Sequence, residues 1–179
     1  MAKMRSTTIL AVKRNGQVAI AGDGQATLGD TVAKSNSRKV RTICDGKYLV
    51  GFAGSVADAF TLLDRLETKL KEFPDDLLRA CIALAKDWRT DRSLTKLEAS
   101  ILVASKDKIL EIMGDGNVIE PEYDCIAIGS GGNFAYAACR AYLECSDLSA
   151  KEIAERSLNI ASDMCIYTNK NITVKTLGE

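Results

Sequence analysis

Histidine is absent from all 179 residues of the chain. Ser-His-Asp and Cys-His hydrolases are excluded, because each needs an imidazole to take the nucleophile's proton. Metal centres built on imidazole are excluded with them. A hydrolase made from this sequence must draw its base from a lysine, a carboxylate or an α-amino group. Net charge is missing too. Lys plus Arg and Asp plus Glu number 24 each, which argues against broad attraction to nucleic acid or anionic membrane. No apolar run approaches the roughly 18–20 residues of a membrane span. Lys3 and Arg5 are not followed by the apolar segment that a secretory signal would carry. None of the cysteines, at 44, 81, 125, 139, 145 and 165, stands in a C-x-x-C pair, which argues against zinc. Most lie in apolar stretches, so the expectation is reduced, buried thiols in a cytoplasmic protein.

What is present has the ordinary balance of one globular domain, with 46% hydrophobic and 27% charged residues. Thr7–Val12 and Gln17–Ala21 are apolar runs around Asn15-Gly16, a strong hairpin signal. Gly22-Asp23-Gly24 ends the pair, and residues 25–37 are polar and irregular, the pattern of a loop that carries function or contacts a neighbour. A second hairpin spans Lys39–Ile43 and Tyr48–Ala53 around Asp45-Gly46. Apolar spacing then predicts helices over Val56–Lys71 and, past Pro74, over roughly Asp75–Leu97. The order repeats: strands at Ser100–Ala104, Ile109–Met113 and Cys125–Ile128, helices at about Asn133–Glu144 and Ala150–Met164, and a last strand near Ile172–Thr176. Ser149 with Glu152 is a capping-box signature. The strands are apolar on both faces, as strands covered on both sides are. Two stacked, mostly antiparallel sheets with a helix pair on each outer face satisfy this pattern, an α+β sandwich of four layers.

Several motifs stand in order along this frame: Thr7-Thr8-Ile9, Gly22-Asp23-Gly24-Gln25-Ala26-Thr27-Leu28-Gly29, Arg38-Lys39-Val40 and Gly51-Phe52-Ala53-Gly54-Ser55-Val56-Ala57-Asp58-Ala59. Lys86-Asp87-Trp88-Arg89-Thr90-Asp91, Ile128-Gly129-Ser130-Gly131-Gly132 and Cys165-Ile166-Tyr167-Thr168-Asn169 follow. The series resembles the HslV (ClpQ-type) peptidases of proteasome-like bacterial proteases and, more distantly, proteasome β subunits. The resemblance covers nearly the whole chain from Thr7 onward. It implies the N-terminal nucleophile (Ntn) hydrolase fold, an α/β/β/α sandwich over residues 7–179, preceded by a prosegment of residues 1–6 that is removed on maturation.

The resemblance also accounts for the missing histidine. Cleavage before Thr7 frees an α-amino group whose reference pKa is about 7.7–8.0, so one residue supplies nucleophile and base. Ser6 and Thr8 are the rival nucleophiles if cleavage slips by one residue. Lys39 matches the lysine that favours an unprotonated amine and a threonine alkoxide, and Asp23 the aspartate that pairs with it. Gly54 matches the residue whose N–H forms the oxyanion hole, and Ser130 a serine that hydrogen-bonds the amine. Ser162, Cys165 and Thr168 match positions whose backbone carbonyls bind a sodium ion. Gly129-Ser130-Gly131-Gly132 has the strand-to-helix context of a phosphate site. Phe134, however, stands where the last glycine of G-x-G-x-x-G belongs, and no Walker lysine follows. Nucleotide binding is therefore not expected of this chain. The implied partners are further copies in two stacked hexameric rings, an HslU-type AAA+ ATPase hexamer that uses ATP and activates the peptidase, and unfolded protein substrates. The rival readings are a noncatalytic ring subunit and a small-substrate Ntn amidohydrolase.

Overall fold

The structure is a computed structural model that describes residues 4, 5, 7–97 and 99–178. Its strands are β1 (Met4–Arg5), β2 (Thr8–Arg14), β3 (Gln17–Gly22), β4 (Ala26–Leu28), β5 (Thr31–Lys34), β6 (Val40–Ile43) and β7 (Tyr48–Gly54) in the first half. β8 (Ala99–Ala104), β9 (Ile109–Met113), β10 (Val118–Ile119), β11 (Cys125–Gly129) and β12 (Thr173–Leu177) make up the second. Helices α1 (Val56–Glu72) and α2 (Leu77–Thr90) follow β7, and α3 (Gly132–Cys145) and α4 (Ala150–Met164) follow β11. All strand pairs are antiparallel. A five-stranded sheet has the order β10-β9-β8-β7-β6, and a four-stranded sheet the order β11-β2-β3-β12.

Strand alternation explains why four layers form. In β2 and β3, Ile9, Ala11, Val18 and Ile20 face Leu49, Leu102 and Ala104 of the other sheet. Their alternates Leu10, Val12, Ala19 and Ala21 face Ile153, Ala154 and Leu158 of α4. In the five-stranded sheet, Val50, Phe52, Ile101 and Val103 face Leu62, Leu66, Leu84 and Trp88 of α1 and α2. With a period of two, a strand that is apolar at every position has two faces to bury. Three apolar interfaces follow, and they hold the predicted α/β/β/α sandwich together. The turn between β2 and β3 has φ of 50° at Asn15 and 79° at Gly16, the left-handed pair that a two-residue hairpin requires.

Two expectations change. Residues 25–37 are not wholly irregular: β4 and β5 form a small hairpin, joined by β1 in a three-stranded sheet. All four residues of β5 are exposed, so no buried face left an apolar signature to read. The second helix is also shorter than Asp75–Leu97. Asp75 takes φ 66°, and Asp76 caps the start by accepting the Arg79 N–H at 3.0 Å. At the other end Asp91 turns its carboxylate to the Ser93 amide and hydroxyl at 2.8 and 2.6 Å. Local carboxylate bonds of this kind compete with helix propagation. The Ser149–Glu152 capping box forms as expected. Cys81, Cys125, Cys139 and Cys165 are buried free thiols, and burial pushes the Cys81 thiol up to about 12. Among the described residues no helix is long and apolar enough to cross a membrane.

Candidate active site

The ends of β2, β3, β7 and β11 converge beside a cavity of about 660 Å³. Thr7, Lys39 and Gly54 line it together. Thr7 precedes β2 by one residue and is buried. Its carbonyl accepts the Ser130 amide at 2.8 Å. Gly129, with φ 88°, passes directly over this carbonyl: a Cβ there would lie 1.9 Å from the Thr7 oxygen. Only glycine fits both the backbone angle and the space. Gly129→Ala is expected to add about 1–3 kcal/mol of strain and to displace Thr7. A lowered Tm together with a fall in kcat of about tenfold or more is the expected result.

Asp23 is the electrostatic hub. It is 1% exposed and accepts four hydrogen bonds. Oδ1 takes the Thr8 amide at 2.9 Å and Lys39 Nζ at 2.8 Å. Oδ2 takes the amides of Gln25 at 2.9 Å and Asn169 at 3.3 Å. Lys39 Nζ also donates to the Gln25 carbonyl at 2.5 Å. Burial holds the Lys39 amine below the usual lysine range, and the Asp23 carboxylate opposes that shift. A proton-binding group whose charge is supported by one carboxylate thus faces the same cavity as a threonine hydroxyl.

Thr8 presents itself differently from Thr7. It is fully buried. Its Oγ1 lies 2.7 Å from Thr168 Oγ1 and accepts the Gly131 amide at 2.9 Å, on the side away from the cavity. This favours Thr7 over Thr8 as the nucleophile; Ser6 lies outside the described residues. A Cβ at Gly131 would come within 2.5 Å of Thr8 Oγ1, so glycine there keeps α3 seated on the threonine pair. Gly54 closes β7 with φ 139° and is exposed at the cavity. Ser130 touches Thr7 through its backbone amide. Of residues 1–6, Met4 and Arg5 pair with Leu28 and Thr27 of β4, while residues 1–3 and 6 lie outside the described residues.

Sequence reasoning gave no role to Gln25, Asn169, Arg41 or Phe60. The first two bond to the Asp23–Lys39 pair. The last two line the cavity, with the Arg41 guanidinium 4.6 Å from the Phe60 ring centroid. Motif membership was the one signal for Gln25 and Asn169. Among the described residues no group of three His, Cys, Asp or Glu side chains could hold a metal. The Ser162, Cys165 and Thr168 positions lie at the C-terminal turn of α4. There the Cys165 carbonyl accepts the Thr168 amide at 3.0 Å and keeps a second lone pair. Carbonyls at a helix end are hard oxygen donors without intrahelical partners, which suits an alkali cation rather than a thiophilic metal.

The proteasome subunit family profile matches residues 4–177. The chain is 56% identical over 175 residues, 98% of each sequence, to the ATP-dependent protease subunit HslV of Treponema denticola. The chain belongs to the HslV peptidases of the proteasome family. Among solved structures, eukaryotic HslV from Trypanosoma brucei superposes with a TM-score of 0.92 at 48% identity, covering 96% of this chain and 99% of that one. Thiobacillus denitrificans BPH in complex with epoxomicin has a TM-score of 0.78 at 22% identity over 96% of this chain and 98% of its own, a likeness of fold alone. HslV family membership makes this chain a threonine peptidase, the peptidase component of an ATP-dependent, proteasome-like protease.

Proposed function

We propose that Thr7 is the nucleophile of this peptidase and that its own α-amino group, freed by removal of residues 1–6, is the base. The carrying observation is the shared cavity of Thr7, Lys39 and Gly54, with Asp23 behind Lys39 at 2.8 Å. The Thr7 hydroxyl attacks the substrate carbonyl and its proton passes to the Thr7 amine. The developing oxyanion is held by the Gly54 N–H, the amine gives its proton to the leaving peptide amine, and water then hydrolyses the acyl ester. The Lys39 ammonium disfavours protonation of the neighbouring amine and stabilises negative charge on Oγ. Ser130 holds the Thr7 carbonyl and supports the amine. A sodium ion on the carbonyls of Ser162, Cys165 and Thr168 would steady the turn after α4, from which Thr168 reaches Thr8.

The active form in this reading is a cytoplasmic double ring of hexamers that encloses the cavities. An HslU-type AAA+ ATPase feeds it unfolded chains and activates it. Self-cleavage between Ser6 and Thr7 matures it, because while Ser6 is attached the Thr7 nitrogen is an amide and no base near neutral pH. N-terminal sequencing and intact mass of active protein are expected to report Thr7 as the first residue. Light scattering is expected to give a mass far above that of a monomer. A fully active preparation that retains residues 1–6 would overturn the amine-as-base mechanism.

A further inference from the structure

The arm formed by β4 and β5 walls the cavity through Ala26, Ala33 and Lys34, yet apolar burial does not hold it, since β5 is exposed throughout. Its neck is held by hydrogen bonds from the segment after α4. Asn169 Oδ1 accepts the amides of Gly24 at 3.0 Å and Asn171 at 3.1 Å. Asn169 Nδ2 donates to the Ser35 carbonyl at 2.8 Å, and Asn171 Nδ2 donates to the same oxygen at 2.8 Å. The Ser37 amide closes the neck on the Gly24 carbonyl at 2.9 Å. There is no spare room: a Cβ on Gly24 would lie 2.4 Å from the Ser35 oxygen. The orientation of the Asn169 amide is dictated by its partners, because the reverse would set its NH₂ against two N–H groups.

We propose that Asn169 is a positioning residue of the active site, joining the arm that walls the cavity to the carboxylate that supports Lys39. The side chain grips both ends of the arm at Gly24 and Ser35, and the backbone amide of the same residue holds Asp23 Oδ2. Gly24 adjoins Asp23 and is buried, so loss of the asparagine oxygen leaves its N–H without that partner and loosens the Asp23 turn. Asn171 reaches the Ser35 end alone with its side chain, so the two asparagines separate the two effects. The consequence for Lys39 has a definite sign. Asp23 holds the Lys39 ammonium against burial; Lys34, Arg38 and Arg41 are the other charged groups that line the same cavity. A loosened Asp23 lets the Lys39 proton leave at lower pH.

This inference rests on the Thr7–Lys39 reading, and the closing experiment includes Thr7→Ala so that failure of that reading shows separately as retained turnover. The assembled protein, with its ATPase, is assayed on a fluorogenic peptide across pH. Asn169→Ala is expected to lower kcat about tenfold or more, as displacement of a supporting group does, and to move the alkaline limb of the kcat profile to lower pH. Asn171→Ala is expected to raise KM severalfold with kcat held within about twofold. Unchanged kcat in assembled Asn169→Ala overturns the proposal. So does a fall in kcat with the limb unmoved, which a merely structural role would produce. Should Asn169→Ala fail to assemble, Asn169→Ser takes its place, with the same kcat and pH-limb outcomes upholding or overturning the proposal.

Discussion

Thr7→Ala is expected to lose peptide hydrolysis by about three or more decades, down to background, and to retain residues 1–6. The substitution removes the attacking oxygen while leaving the carbonyl that accepts the Ser130 amide at 2.8 Å, so β2 and β11 remain in register. Removal of a covalent nucleophile is among the largest single-residue losses in enzymes. In the proposed self-cleavage the same hydroxyl serves its own release, so the precursor is expected to stay uncut. Thr7→Ser keeps the hydroxyl and, after cleavage, the amine, and is expected to keep part of the activity. The comparison isolates the oxygen from the fold. Neighbouring Thr8 cannot substitute, because its hydroxyl is buried between Thr168 and Gly131. Turnover in Thr7→Ala comparable to the parent, measured on assembled protein, would sink the assignment.

Lys39→Ala and Asp23→Ala are expected to silence the enzyme in different ways. Lys39→Ala leaves Asp23 with three backbone donors, from Thr8, Gln25 and Asn169. Its oxygens therefore stay hydrogen-bonded in the variant. The variant should fold and assemble while kcat falls by about two or more decades, the loss typical of an electrostatic stabiliser at the reacting atoms. Asp23→Ala removes the carboxylate partner of the Lys39 ammonium, whose side chain is 9% exposed, and frees three amides at once. Breaking a buried pair from this side costs about 3–5 kcal/mol, so this variant should lose stability and assembly as well as activity. Denaturant unfolding and sedimentation distinguish the two. Equal stability of the two variants would mean that Asp23 is not the hub its hydrogen bonds describe.

The layered architecture was legible in the residue pattern for a simple reason. Ile9 to Val12, Val18 to Ala21 and Ile101 to Ala104 are apolar at every position, and such strands must be covered on both faces. Asn15-Gly16 demanded a hairpin, and Ser149 with Glu152 a helix start. The missing histidine limited the choice of base before any fold was known. The β4–β5 arm was not legible, because neither face of β5 is buried and its strand character comes from pairing alone. The end of α2 escaped for a related reason: Asp91 stops it through side-chain bonds to Ser93, against apolar spacing that runs on to Leu94.

The sequence by itself determined the order of the core strands and the four helices and the absence of an imidazole base, since each follows from residue type or short-range period; the threonine nucleophile came from the family resemblance. Tertiary structure decided which groups meet at the cavity. The family match put Thr7 first with Thr8 as a rival, and the fold separates them: Thr7 lines the cavity, while the Thr8 hydroxyl is buried against Thr168 and Gly131. Thr8 thereby reaches Thr168 across 160 residues, and Asp23 meets the Asn169 amide across 146. Bonds of that span leave no periodic trace in a chain, because they are set by where the sheets and helices bring its ends together.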